Sequence, residues 1–344
     1  MGLDERAATE SGRSGPGDRR PRTRRHLALR WRRTVLAALI TAAVVFPLSG
    51  AAQPEIPAPR PAAIASVTAA TLGEVYGANR ANAVEASRMA AAHGDTGRAA
   101  ADRSLAAPSR HLLAFDGRGA GRATEVFGDL AHADRIAVLV PGSDTSLETY
   151  GRFRATALAL RHQLAQDAPT GPRTAVVAWL GYKTPGTVSA TVTTTGRAEE
   201  AAPELREFIR QLRGVVGRDA QVSLVCHSYG SVVCGRAAAG LDVDDIALVG
   251  SPGTGADSAA DLRTRARVWA ARGADDWVAN VPHVSADLFG TTVGFGTDPV
   301  SPAFGARVFT AGDGGHSDYF APGSASLANL ARIVLGEASE VTRA

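Results

Sequence analysis

The sequence predicts an α/β architecture, a mostly parallel sheet with helices on both faces. Two observations carry this. From residue 136 to residue 335, short and nearly continuous apolar runs alternate with segments of helical spacing, the pattern left by strands buried on both sides and the helices that cross between them. One of those runs also passes directly into a helix through Cys226-His227-Ser228-Tyr229-Gly230, a turn too tight for large side chains two positions either side of the serine.

In chain order, residues 1–52 read as an export signal or an N-terminal anchor. The first 33 residues hold ten arginines against four acids, then Val35–Phe46 is apolar, and Leu48–Gln53 offers small residues for cleavage after Ala51 or Ala52. Such a run is short for a bilayer span, which needs about 20 residues. Arg32-Arg33-Thr34-Val35-Leu36 also resembles a twin-arginine signal. Residues 53–64 form a Pro/Ala-rich linker, and 65–107 a helical segment interrupted at Gly94-Asp95. The main α/β domain is assigned to 108–338. It starts with a hairpin, Leu112–Phe115 and Arg122–Phe127 around Gly117–Gly121. Strands follow at Ile136–Val140, Ala175–Trp179, Val222–Cys226, Ile246–Val249, Val268–Ala271 and Ala306–Thr310. Helices are expected at Leu147–Leu164, Glu199–Leu212, Ser231–Ala239 and Ser324–Leu335.

Composition narrows the function classes. Of the 344 residues, 45% are hydrophobic and 21% charged, enough for a sizeable core and against wholesale disorder. The formal net charge of +3 belongs to the leader, because beyond residue 33 there are 27 basic and 30 acidic residues. No nucleic-acid partner is therefore expected. Two cysteines, with no HExxH or CxxC, give no support to a metal site, and no cofactor is expected. Cys226 and Cys234 are either paired or buried and reduced. Gly117–Gly121 lacks the spacing of a nucleotide loop and reads as a turn, and Gly250–Gly255 lacks the Lys-Ser/Thr of a phosphate loop.

Ligands of such sheets bind beyond the carboxyl ends of the strands, which directs attention to the loops there. The turn at Ser228 has the geometry of a nucleophile elbow, with Cys226 in place of the usual glycine. A serine hydroxyl needs a base, and His316 lies in the glycine-rich loop after the last strand, where chain order requires the base to fall. His283 sits in an irregular segment and reads as structural. An acid should follow the strand Val268–Ala271, and Gly273-Ala274-Asp275-Asp276-Trp277-Val278 offers Asp276, with Asp275 as the alternative; Asp298 and Asp318 fit less well. Oxyanion donors are expected from the N–H groups of Tyr229 and Ser143. Asp144 reads either as a residue lining the site or as an acid at a helix start.

Val138-Leu139-Val140-Pro141-Gly142, Ala178-Trp179-Leu180-Gly181-Tyr182, Cys226–Gly230, Val249-Gly250-Ser251-Pro252-Gly253 and Gly315-His316-Ser317-Asp318-Tyr319 together resemble an actinobacterial family of alpha/beta hydrolases, many of them exported. The resemblance covers roughly 111–336. It implies the alpha/beta-hydrolase fold and catalytic roles for Ser228, His316 and Asp276, and supplies no substrate. The expectation is an exported serine hydrolase of carboxylic esters, with amides as a further option, acting on a small-molecule or lipid ester and touching membrane only through its N-terminal segment. Two alternatives use the same scaffold: an acyltransferase acting on cell-envelope lipids or sugars, and a non-catalytic binding protein. Fewer than twenty residues separate Val249 from Val268, too few for a large lid domain there. The helices of 65–107 are the alternative cover.

Overall fold

A computed structural model describes residues 56–64, 66–187, 194–281, 285–288 and 291–344. The leader and His283 lie outside the described residues. Among those described, no helix is long and apolar enough to cross a membrane.

The order of elements follows the alternation in the sequence. Helices α1 (Leu72–Ala92) and α2 (Thr96–Leu105) come first. They break at Gly94, whose φ of +90° ends the first helix. Asp95 then caps the second, its carboxylate accepting from Arg98 N–H at 2.8 Å. Strands β1 (His111–Asp116), β2 (Arg122–Phe127) and β3 (Arg135–Val140) precede α3 (Tyr150–Asp167). Then come β4 (Thr174–Leu180), α4 (Gly196–Val216), β5 (Gln221–His227), α5 (Gly230–Ala237), β6 (Asp245–Val249) and β7 (Arg267–Ala271). Strands β8 (Ser285–Leu288) and β9 (Thr291–Gly294) pair as a separate hairpin that the sequence reading left irregular. The last strand, β10, is only Arg307–Val308, shorter than the 306–310 expected, and α6 (Ala325–Leu335) follows it.

Among the described residues the main sheet has eight strands in the order β1-β2-β4-β3-β5-β6-β7-β10. The β1–β2 and β2–β4 pairs are antiparallel, and every pair from β4 to β10 is parallel. Residues of β3 alternate between two cores. Ile136, Val138 and Val140 share one with Leu205, Ile209 and Leu212 of α4 and Val232 and Val233 of α5. Ala137 and Leu139 share the other with Phe153 and Leu160 of α3 and Leu330 and Ile333 of α6. A strand buried on both faces is mostly apolar, which is why β3, β5 and β6 read as nearly continuous apolar runs, with Ser223 and Asp245 as buried polar exceptions. Edge strand β1 is instead mixed, with His111 and Ala114 exposed and Leu112, Leu113 and Phe115 buried.

The N-terminal helices pack against that edge. Asn79 of α1 donates from its buried amide to the carbonyls of Leu112 and Leu113 at 3.1 and 3.0 Å, and Tyr76 stacks on His111 with ring centres 4.9 Å apart.

Register places the carboxyl ends of the central strands side by side. Val140 lies opposite Cys226, His227 opposite Val249, and Val249 opposite Ala271. From β3 the chain moves outward to β4 on one side, then resumes at β5 on the other. The crevice between the ends of β3 and β5 is therefore the topological switch point, where open α/β sheets bind ligands.

Candidate active site

Ser228 occupies that crevice. Its φ is +55°, a left-handed backbone that costs a non-glycine residue about 1–2 kcal/mol and persists only where surrounding contacts impose it. Those contacts are visible. Ser228 N–H donates to Val249 O at 3.0 Å, Ser231 N–H donates to Ser228 O at 2.9 Å, and the Ser231 hydroxyl donates to Cys226 O at 3.2 Å. A Cβ on Gly230 would stand 2.5 Å from Val140 O and 2.7 Å from Pro141 O, so the turn closes against the end of β3 only with glycine there. The Cys226 position is buried, and its sulfur forms a disulfide with Cys234 of α5, which decides between the paired and reduced readings.

His316 lies in the loop after β10. Its Nε2 is 2.9 Å from Ser228 Oγ, and its Nδ1 is 2.9 and 3.1 Å from the two carboxylate oxygens of Asp276. With a carboxylate at Nδ1, that nitrogen carries the proton and Nε2 faces the serine as an acceptor. Asp276 is 2% exposed, whereas Asp275 is exposed and lies outside this chain of hydrogen bonds. Burial pushes the Asp276 carboxyl upward. Hydrogen bonds from the Tyr319 hydroxyl, Val278 N–H and His316 outweigh it and hold the group below its usual range. Gly250, at φ +57°, leaves the room these side chains need, since a Cβ there would stand 2.8 Å from the Tyr319 ring and 3.0 Å from Asp276 Oδ2.

The other acids have separate partners. Asp298 accepts from Arg272 at 2.6 Å, and Asp318 accepts from Gly315 N–H at 2.9 Å, bracing the loop that carries His316. Asp144 is not a helix cap, because α3 begins six residues later. It ties the loop after β3 to the loop after β4 through the Thr187 N–H at 3.0 Å and the Thr187 hydroxyl. Tyr182 fastens the same two loops by donating to Pro141 O at 2.6 Å. Ser143 lies between these fastenings, and Tyr229 heads α5; neither of their N–H groups has a hydrogen-bond partner among the described residues.

Three residues of the site carry no assignment from the sequence. Tyr319 donates to Asp276 and accepts from Gly273 N–H at 3.0 Å. His227 donates from Nε2 to the His316 carbonyl at 2.8 Å; burial, reinforced by the neighbouring His316, depresses its pKa to about 4, so the ring is neutral. Trp277 lies with its ring centre 4.7 Å from that of His316. The only hints in the sequence were positional: Tyr319 stands three residues after the histidine, and His227 and Trp277 directly adjoin the serine and the acid.

A sequence profile of an alpha/beta hydrolase family matches residues 116–286, from the end of β1 into β8. Together with the strand order and the turn at Ser228, this decides the architecture. The chain has the alpha/beta-hydrolase fold. The chain is 32% identical over 257 residues to uncharacterized proteins from two strains of Mycobacterium tuberculosis. That match covers 66% of this chain and only 39% of those relatives, so the chain spans about two fifths of their length. Among solved structures it is similar to an α/β serine hydrolase without lid from Xanthomonas campestris, at 17% identity and a TM-score of 0.41, covering 68% of this chain and 95% of that one. It is likewise similar to esterase PE8, at 18% identity and a TM-score of 0.41, covering 60% and 95%.

Proposed function

We propose that this alpha/beta hydrolase is a serine hydrolase of carboxylic esters that works through Ser228, His316 and Asp276 and an acyl-enzyme. The observation that carries the proposal is the unbroken line of hydrogen bonds, from Ser228 Oγ to His316 Nε2 at 2.9 Å and from His316 Nδ1 to Asp276 at 2.9 Å. His316 takes the Ser228 proton as Oγ attacks the acyl carbon, and Asp276 fixes the tautomer and stabilises the imidazolium. The N–H groups of Tyr229 and Ser143, without a partner among the described residues, receive the oxyanion, a kind of interaction whose loss typically costs about 10²–10³ in rate. The imidazolium returns its proton to the departing alcohol, and water repeats the sequence to release the acid.

A fluorophosphonate probe tests this reading. It should label the wild-type protein and not Ser228→Ala; absence of label on the wild type, or equal label on both, overturns the proposal.

Export of the protein is part of the same reading and rests on the basic and apolar leader alone. Sequencing the N-terminus of the mature protein should find cleavage after Ala51 or Ala52. An intact leader on a membrane-bound protein would make the segment an anchor.

A further inference from the structure

Three large apolar side chains are exposed among the described residues. Val84 and Leu158, at 48% and 41%, lie on the helices α1 and α3. Trp277, at 52%, lies in the site. It opens the 3-10 turn Trp277–Asn280, capped by the carboxylate of Asp276 through Val278 N–H. That turn buries Val278 to 1% and leaves the preceding indole half in solvent. An aromatic ring of this size loses free energy wherever its apolar surface stays in water.

The position of the indole, beside the imidazole of His316 with ring planes at 49°, bears on which half of an ester it would meet. Acylation forms the bond from Ser228 Oγ to the acyl carbon and breaks the bond from that carbon to the alcohol oxygen. The Ser228 proton passes to His316 Nε2 and from there to the departing oxygen. That oxygen must therefore lie at Nε2 when the bond breaks. Nε2 belongs to the ring on which Trp277 packs, so the group attached to the departing oxygen comes within aromatic contact range of the indole. The acyl portion is held elsewhere, at Ser228 and the N–H groups of Tyr229 and Ser143.

Resting on the serine-hydrolase reading above, we infer that Trp277 forms the leaving-group subsite and selects esters whose alcohol portion is a flat aromatic group. A rigid indole offers such a group a large face at little entropic cost, and with Trp277 52% exposed it has apolar surface for a second ring to cover. A methyl group is too small to cover that face.

The test compares wild type with Trp277→Ala on the 2-naphthyl and methyl esters of one short acid. The ratio of kcat/KM for the naphthyl ester to that for the methyl ester should fall about tenfold in the variant, with Trp277→Phe between the two. Competitive inhibition by 2-naphthol should weaken in parallel. An unchanged ratio overturns the subsite, whether both rates hold or both fall together. Should Trp277→Ala fail to fold, Trp277→Leu replaces it, keeping apolar bulk without the flat face, and the same fall in ratio is required. Fluorophosphonate labelling is run beside the kinetics. Label with an unchanged ratio defeats the subsite alone, and no label on the wild type defeats the serine-hydrolase reading itself.

Discussion

At the scale of single residues, the balance around Asp276 is decided by donors. A carboxylate buried at 2% exposure would by itself resist ionisation, yet three hydrogen bonds converge on it and win. The Tyr319 hydroxyl is the first of them, and the same contact with Asp276 adds to burial in driving the phenol's own pKa upward. Tyr319→Phe removes this donor, and with it the acceptor of Gly273 N–H, whose loss adds a part that does not vary with pH. Hydrogen bonds to charged groups contribute about 1.5–3 kcal/mol, so the variant should be less stable by about that amount at pH 7. Asp276 titrates lower in the fold than its usual 3.8, so its contribution is present above 3.8 and disappears as pH falls through the folded value. Urea denaturation should therefore find the Tyr319→Phe deficit greatest at pH 7 and smaller at pH 3; a deficit independent of pH would mean that the hydroxyl does not act on Asp276. His227 has the opposite sign. Folded, it titrates at about 4 against the ordinary 6.5, so the unfolded chain takes up its proton first. Stability should drop by roughly 2–3 kcal/mol between pH 6.5 and 4, with His316 and Asp276 the titratable neighbours that face it. His227→Gln keeps a donor for the His316 carbonyl and cannot titrate. It should flatten that part of the pH–stability curve while remaining folded.

The turn at Ser228 brings these residues together at the scale of elements. Strand β5 and helix α5 are joined by two residues and clamped by the disulfide between Cys226 and Cys234, eight positions apart. So short a loop limits what the bridge can contribute to roughly 2–3 kcal/mol in the chain-entropy view. Cys226→Ala/Cys234→Ala should therefore lower stability by that amount while fluorophosphonate labelling of Ser228 persists, because the Gly230 packing and the Ser228 N–H bond to Val249 survive. Both sulfurs are fully buried, so a thiol titration after mild reductant should detect no free cysteine until denaturant is added. The strands around this turn were legible in the sequence because burial on both faces leaves mostly apolar residues in β3, β5 and β6, with Ser223 and Asp245 the buried exceptions. The β8–β9 hairpin was not, since Ser285–Leu288 and Thr291–Gly294 are four residues each and lack a clear alternation. In the site, chain order singled out Ser228 and His316 and a pair of adjacent aspartates. Choosing Asp276 over Asp275 depends on which carboxylate turns inward, a fact settled by contacts 40 residues away. Tyr319, His227 and Trp277 escaped for the same reason, as each matters only through a partner distant in the chain or through the ring it lies against.

For the molecule as a whole, one buried cation joins regions far apart in sequence. Arg98 of α2, 1% exposed, donates to Asp102 at 3.2 Å, to Gly117 O in the β1–β2 turn at 2.6 Å, and to Glu148 in the loop after β3 at 2.9 Å. The last of these reaches the loop that carries Ser143, so a guanidinium of the N-terminal helices is bonded to a loop of the candidate site. Burial raises Asp102 to about 6 in spite of Arg98, with Glu148 and Asp95 adding to the rise. Its contribution is therefore fully present below 3.8 and lost as pH climbs through 6. Arg98→Met removes the cation beside this carboxyl and leaves it buried beside two other acids, a change that typically costs about 3–5 kcal/mol. Without Arg98 the Asp102 carboxyl must rise further, so the deficit of the variant should widen from pH 6 to pH 8. Adding Asp102→Asn removes the stranded charge at nearly constant shape and should recover part of the loss, a non-additivity expected of residues in one network. Urea denaturation of the two variants across that pH range checks both statements. Equal stability of Arg98→Met and the double variant at pH 8 would mean that the charge on Asp102 is not what Arg98 answers, and that its bonds to Gly117 and Glu148 account for the loss instead.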